Sequence, residues 1–111
     1  MVNPGGLNEA FARAKLPHAK LLVHGRNEEI PSLVTDGRAD VMVTEIVEAP
    51  WYVRSDPRLT APLLSKPFTK GEIGVLMRKG QDDLLAFVND VLARMAADGT
   101  LAALKAKHGL R

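Results

Sequence analysis

From Asp36 to Ala49 the chain sets a turn, a short apolar run and two carboxylates in direct succession, an order that few folds accommodate. Asp36-Gly37 has the composition of a helix stop, and Val41-Met42-Val43 is an apolar run of the kind buried in a parallel sheet. Thr44 is placed to cap a following helix. Glu45 and Glu48 then share one helical face at the carboxyl end of a strand, where open α/β sheets hold their ligands. Two carboxylates there suit recognition of an amine or acid–base chemistry. Acidic residues also favour the first turn of any helix, where the dipole stabilises negative charge, so the pair has a purely structural explanation as well.

The flanking segments predict the same alternation. Asn3-Pro4-Gly5-Gly6 reads as a loop leading into a helix that runs to about Leu16, with Phe11, Leu7 and Ala14 as candidates for its inward face, and Pro17 stops it. Adjacent glycines allow close backbone approach, and N–H groups exposed at the start of a helix attract anions, although Gly-Gly is equally an ordinary tight turn. Lys20–His24 is predicted as a strand closed by Gly25. A helix follows from an Asn27 cap to Asp36, with Ile30, Leu33 and Val34 as its apolar face and Pro31 tolerated in its first turn. Strands alternating with helices imply a parallel sheet with right-handed crossovers. A short helix over Pro50–Arg54 ends at Asp56-Pro57, and Leu59–Leu64, interrupted by Pro62, is predicted as an edge strand. Trp51 and Tyr52 fit the floor of an aromatic pocket or the packing of a helix on a sheet.

Lys66-Pro67-Phe68-Thr69-Lys70-Gly71 reads as a linker, so we divide the chain into 1–67 and 68–111. Glu72–Arg78 is predicted as a strand. Leu84, Val88, Val91, Leu92 and Met95 form the apolar stripe of a long helix, Asp98-Gly99 ends it, and Thr100 caps a last helix running through Lys107 to a stop at Gly109.

Composition excludes several function classes. With 111 residues the chain is one small domain at most. A net charge of +2 is a small excess with no basic patch, so nucleic acid is not an expected partner. There is no cysteine for disulfide or thiolate chemistry, and His18, His24 and His108 lack metal-ligand spacing, so neither a metal nor a cofactor is expected. No apolar run reaches the ~18 residues of a membrane span, and Met1-Val2-Asn3-Pro4-Gly5-Gly6 does not read as a signal peptide. A soluble chain is the expectation.

Val2-Asn3-Pro4-Gly5-Gly6 with Asn8-Glu9, the Asp36–Ala49 segment, Gly74–Gly80, Val88-Asn89 and Ala97-Asp98-Gly99-Thr100 together resemble the family 3 extracellular solute-binding proteins, and within them the cyclohexadienyl dehydratase branch. The resemblance covers nearly the whole chain. It implies a type II periplasmic-binding-protein fold, a clamshell of two parallel α/β lobes with the ligand between them. This chain would supply the second lobe, a three-layer parallel-sheet unit, then a hinge strand and two C-terminal helices. Helices that normally pack on the first lobe would expose an apolar face, and a homodimer or an added first lobe is expected to cover it. The implied compartment is periplasmic or extracellular.

The same resemblance implies roles for particular residues. Asn3, Gly5, Gly6 and Leu7 correspond to the loop around a ligand carboxylate. Leu7 replaces a usual threonine, leaving backbone N–H groups to hold the ligand. Glu45 falls where amino-acid receptors pair with the ligand ammonium, and Glu48 falls on the catalytic glutamate of the dehydratases. Those enzymes take carbon dioxide and water from prephenate or arogenate, and the acid must protonate the departing hydroxyl. A neighbouring carboxylate and a closed apolar cleft would keep Glu48 protonated for that step. A noncatalytic amino-acid-binding component of an ABC uptake system is the other implied role.

Overall fold

In the computed structural model, which describes residues 1–110, the backbone of the first two residues is shared between two neighbours. The Val2 N–H donates to the Leu22 carbonyl at 3.0 Å, and the Val2 carbonyl accepts the His24 N–H at 2.9 Å, making a parallel bridge to Val23. Met1 pairs on the opposite side. Its ammonium donates to the Val41 carbonyl at 2.6 Å and its carbonyl accepts the Val43 N–H at 3.2 Å, the same two-bond pattern centred on Met42. The spatial order is therefore second segment, first segment, third segment, as at the switch point of a doubly wound sheet. Val2, with 0% exposure, is the centre of the core, beside Ile30 at 1% and Ala12 at 2%. Partial burial holds the Met1 ammonium below the usual α-amino range, against the opposing pull of Asp40.

These pairings are the extent of the sheet among the described residues, which corrects the expected three-layer unit with full strands. The central segment has two residues ahead of Asn3, so each neighbour finds one paired position and no ladder can propagate. Lys20–His24 contributes Val23 alone to a bridge. Leu59–Leu64 is a turn instead of an edge strand: Leu64 N–H reaches the Ala61 carbonyl at 3.1 Å and Lys66 N–H the Leu63 carbonyl at 2.9 Å. Pro62 removes a ladder donor and suits the turn. Glu72–Arg78 forms no ladder either.

The helices follow the sequence pattern more closely. Helix α1, Leu7–Lys15, ends at Leu16, before Pro17. Its inward residue is Ala12, with Phe11 half-buried; Leu7 is 83% exposed and Ala14 is also exposed, because Leu7 lies at the open end of the helix and Ala14 on its outer side. The single helix expected from Asn27 is a 3-10 turn, Asn27–Glu29, continuing into α2, Ile30–Thr35, so Arg26 and not Asn27 occupies the capping position. Gly37, at φ 75°, closes α2 with two bonds, Gly37 N–H to the Val34 carbonyl at 3.0 Å and Arg38 N–H to the Leu33 carbonyl at 2.8 Å. This is a Schellman closure, which needs a left-handed residue at Gly37. Helix α3, Ala49–Ser55, carries Pro50 in its first turn and stops at Asp56. Arg58 grips Asp56 through Nε at 3.0 Å and Nη2 at 2.7 Å and holds its carboxyl below the ordinary range.

The chain divides into two compact units, Met1–Lys66 and Pro67–Arg111. The second consists of helices α4, Asp82–Ala97, and α5, Thr100–Lys107, packed on each other. Val88, Val91 and Met95 are half-buried along the predicted stripe, whereas Leu84 and Leu92 remain 45% and 40% exposed. Thr100 begins α5 and does not cap it; the capping position is Gly99 at φ 85°, and Asp98 accepts the Thr100 N–H at 2.8 Å. That bond and the Thr100 hydroxyl keep the Asp98 carboxyl below its ordinary range.

Truncating Ile30 to Ala is expected to destabilise the chain by about 2–4 kcal/mol, because the first unit has few enclosed side chains to close over the cavity. Gly37→Ala should cost about 1–2 kcal/mol through the left-handed backbone it must keep. Urea unfolding, read as a lower midpoint at unchanged slope, measures both.

Candidate functional site

Parallel pairing puts the carboxyl ends of its three segments on one edge. Asn3 follows Val2 there, His24 follows Val23, and Thr44 follows Val43. Loops at such an edge, beside a reversal of strand order, are where α/β units bind small molecules.

Glu48 lies on the third of these connections. Backbone bonds from Glu48 N–H at 3.0 Å and Ala49 N–H at 3.1 Å to the Glu45 carbonyl curl the chain into a turn, and Glu48 becomes the residue preceding α3. Its carboxylate is half-buried and accepts the Thr44 hydroxyl at 2.5 Å. Thr44 therefore orients Glu48, where the sequence pattern assigns it to helix capping. Glu45 is exposed and sits in the turn, ahead of the helix whose face it was expected to share. Tyr52, one turn into α3, has its phenol pushed above the usual range first by burial and then by the negative charge of Glu48. Trp51 meets Tyr52 edge to face, with centroids 5.3 Å apart, and is itself 59% exposed, which leaves it a poor pocket floor.

The first connection is built differently. Gly5 is exposed at φ 73°, Gly6 is half-buried and precedes α1, and Asn3 is half-buried with Nδ2 3.6 Å from where a Cβ on Gly6 would stand. Leu7 turns its side chain outward, so any ligand contact there belongs to its backbone. Glu9 completes the turn by accepting the Gly5 N–H at 2.6 Å, while Arg13 binds the same carboxylate through Nη2 at 2.7 Å. The Gly5 bond, more than Arg13, holds the Glu9 carboxyl below the ordinary glutamate range. Gly5, Gly6, Glu9, Ala10 and Arg13 line a shallow depression of about 280 Å3. Glu at the third helical position with Arg four residues on is the sequence signal that could have revealed this arrangement.

His24 ends the second connection. Its Nε2 lies 2.7 Å from Glu29 Oε2, and Arg26 Nη1 lies 2.8 Å from Glu29 Oε1. His18 and His108 are exposed, and among the described residues no three acidic or histidine side chains gather as metal ligands.

A parallel α/β unit with backbone turns and carboxylates on its carboxyl edge defines a small-molecule-binding class. The sequence profile of the bacterial extracellular solute-binding proteins, family 3, matches residues 10–111, and the chain belongs to that family. It is 42% identical over 81 residues to the cyclohexadienyl dehydratase of Pseudomonas aeruginosa, covering 73% of this chain and 30% of the enzyme. It is 39% identical over 71 residues to the L-cystine-binding protein TcyJ of Escherichia coli, covering 64% of this chain and 26% of that protein. Against the ABC transporter glutamine-binding protein GlnH of Bacillus subtilis the identity is 30% over 95 residues, covering 86% and 34%. The crystal structure of an ancestral cyclohexadienyl dehydratase superposes with a TM-score of 0.58 at 48% identity, over 96% of this chain and 44% of that one. The chain thus spans about a third of the length of the curated relatives it matches. Family and structural neighbour imply the type II periplasmic-binding fold. No helix among the described residues is long and apolar enough to cross a membrane.

A carboxyl group that titrates lower in the folded than in the unfolded chain stabilises the fold above the ordinary glutamate range and loses that contribution as pH falls through the depressed value. Carboxyl NMR should therefore find Glu9 titrating below glutamates of the urea-unfolded chain. In Arg13→Ala the Glu9 midpoint should rise yet stay depressed, since the Gly5 bond is the larger cause.

Proposed function

We propose that this chain is the second-lobe part of a cyclohexadienyl dehydratase-like protein acting on prephenate or arogenate. The observation that carries the reading is the half-buried Glu48 carboxyl, oriented by the Thr44 hydroxyl at the carboxyl edge of the paired segments. Glu48 is the general acid. Its proton goes to the departing ring hydroxyl, which leaves as water; the bond to the ring carboxylate breaks, carbon dioxide departs, and the electron pair completes the aromatic ring. Asn3, Gly5, Gly6 and the Leu7 backbone hold a ligand carboxylate, and Glu45, exposed beside them in the chain order, is available to an ammonium. The 42% identity to the Pseudomonas aeruginosa dehydratase supports this reading.

In the reading proposed here the complete protein is a two-lobed clamshell outside the cytoplasm, in which the sheet layers of this lobe and the hinge strand Glu72–Arg78 are completed. Exposed apolar side chains on the second unit, among them Phe87 at 62% and Leu85 at 46%, then take cover against the first lobe or a second copy. The alternative role, a noncatalytic amino-acid-binding component of an ABC uptake system, draws support from the exposed Glu45 and from the identity to cystine- and glutamine-binding relatives.

The chain alone is expected to turn over prephenate slowly, because an open cleft admits water to the acid. Joined to the first-lobe sequence of the Pseudomonas aeruginosa enzyme, it should become active, and Glu48→Gln should lower turnover by about 100-fold or more with affinity held within about threefold. Equal turnover in the variant, measured as formation of the aromatic product, would remove Glu48 from the chemistry and favour the receptor.

A further inference from the structure

The turn assigned above to the ligand carboxylate has no side-chain cap of its own, since Gly6 precedes α1 without one. Glu9 fills that role from inside the helix. One of its carboxylate oxygens accepts the Gly5 N–H at 2.6 Å, and the other accepts Arg13 Nε at 2.9 Å and Nη2 at 2.7 Å. Only 17% of the Glu9 side chain is exposed, against 62% of Arg13. Gly5 holds the left-handed conformation at φ 73°, which other residues rarely adopt, so the peptide that Glu9 grips is also the one that sets the direction of the turn.

We propose that Glu9 is a positioning residue for an anionic ligand: it fixes the Gly5 peptide so that the N–H groups of Gly6 and Leu7 are presented together to a carboxylate. Arg13 offsets the negative charge that would otherwise repel that ligand. The inference rests on the reading that the Asn3–Leu7 turn takes the ligand carboxylate. The first N–H groups of a helix lack intrahelical acceptors, and their usefulness to a ligand depends on a turn that keeps them aligned. Removing Glu9 leaves Gly5 with the widest backbone freedom of any residue type and the turn with nothing to choose one conformation.

The test is titration of the full 111-residue chain with prephenate, followed by calorimetry and by the backbone amide resonances of Gly5, Gly6 and Leu7, in Glu9→Ala and Glu9→Gln beside the parent sequence. Circular dichroism melts establish that both variants fold. Glu9→Ala should weaken binding roughly tenfold and shift the Gly5 amide in the free chain, and Glu9→Gln, which keeps an acceptor for Gly5, should restore affinity to within about threefold of the parent. Unchanged affinity in Glu9→Ala would overturn the positioning role while leaving carboxylate binding intact. Tighter binding in Glu9→Ala would also overturn it, by showing that Glu9 occupies the ligand's place. Absence of prephenate binding by the parent chain would overturn the underlying carboxylate reading, and this inference with it.

Discussion

Everything in the first unit depends on two residues pairing in two directions. Val2 bonds to Leu22 and His24, and Met1 bonds to Val41 and Val43, so a single short segment fixes the positions of both later ones. Burial adds to this constraint. With Val2 fully enclosed and Ile30 and Ala12 nearly so, the helices on either side are anchored to the same point. Because the pairing is parallel, the residues that follow each segment emerge on one edge. The candidate site is thus a consequence of backbone direction before it is a matter of side-chain chemistry.

Along that edge the structure supplies two kinds of group. The Asn3–Gly6 turn offers backbone donors shaped by a left-handed glycine and held by an internal carboxylate. The Thr44–Glu48 turn offers a carboxyl oriented by a hydroxyl, with a second carboxyl exposed to solvent. Donors for an anion and acids for proton transfer or ammonium binding are complementary demands of an amino-acid-like molecule. The family to which the chain belongs includes relatives named for both catalysis and binding, and this edge contains the elements on which either would be built.

Helices were the legible part of the sequence because their signals are local. Pro17 stops α1, Asp36-Gly37 stops α2 and Gly99 separates α4 from α5, each through a backbone requirement confined to a few residues. Strands were not legible in the same way. Lys20–His24 and Glu72–Arg78 have the composition of strands, but a strand exists only when another edge bonds to it, and composition does not say how much edge there is. Met1-Val2 carried the reverse error: too short to read as a strand, it is the centre of the pairing. In the site, Glu48 was visible from spacing near an apolar run, whereas Thr44 and Glu9 were hidden because their roles depend on which backbone group their side chains meet after folding. Nothing in the sequence placed Leu7 on the outside; its apolar character argued for the opposite.

The span of the Met1 pairing has a kinetic meaning. Its ammonium meets a carbonyl 40 residues along the chain, while the bonds that close α2 join residues within a few positions of each other. Loop-closure entropy rises with the length enclosed, and contacts between distant residues slow the search for the native state. Helix α2 and its glycine closure can form early at little entropic cost, and the Met1 pairing must wait until much of the intervening chain is ordered. The backbone contact that gathers the site is therefore among the last to be made as the chain folds.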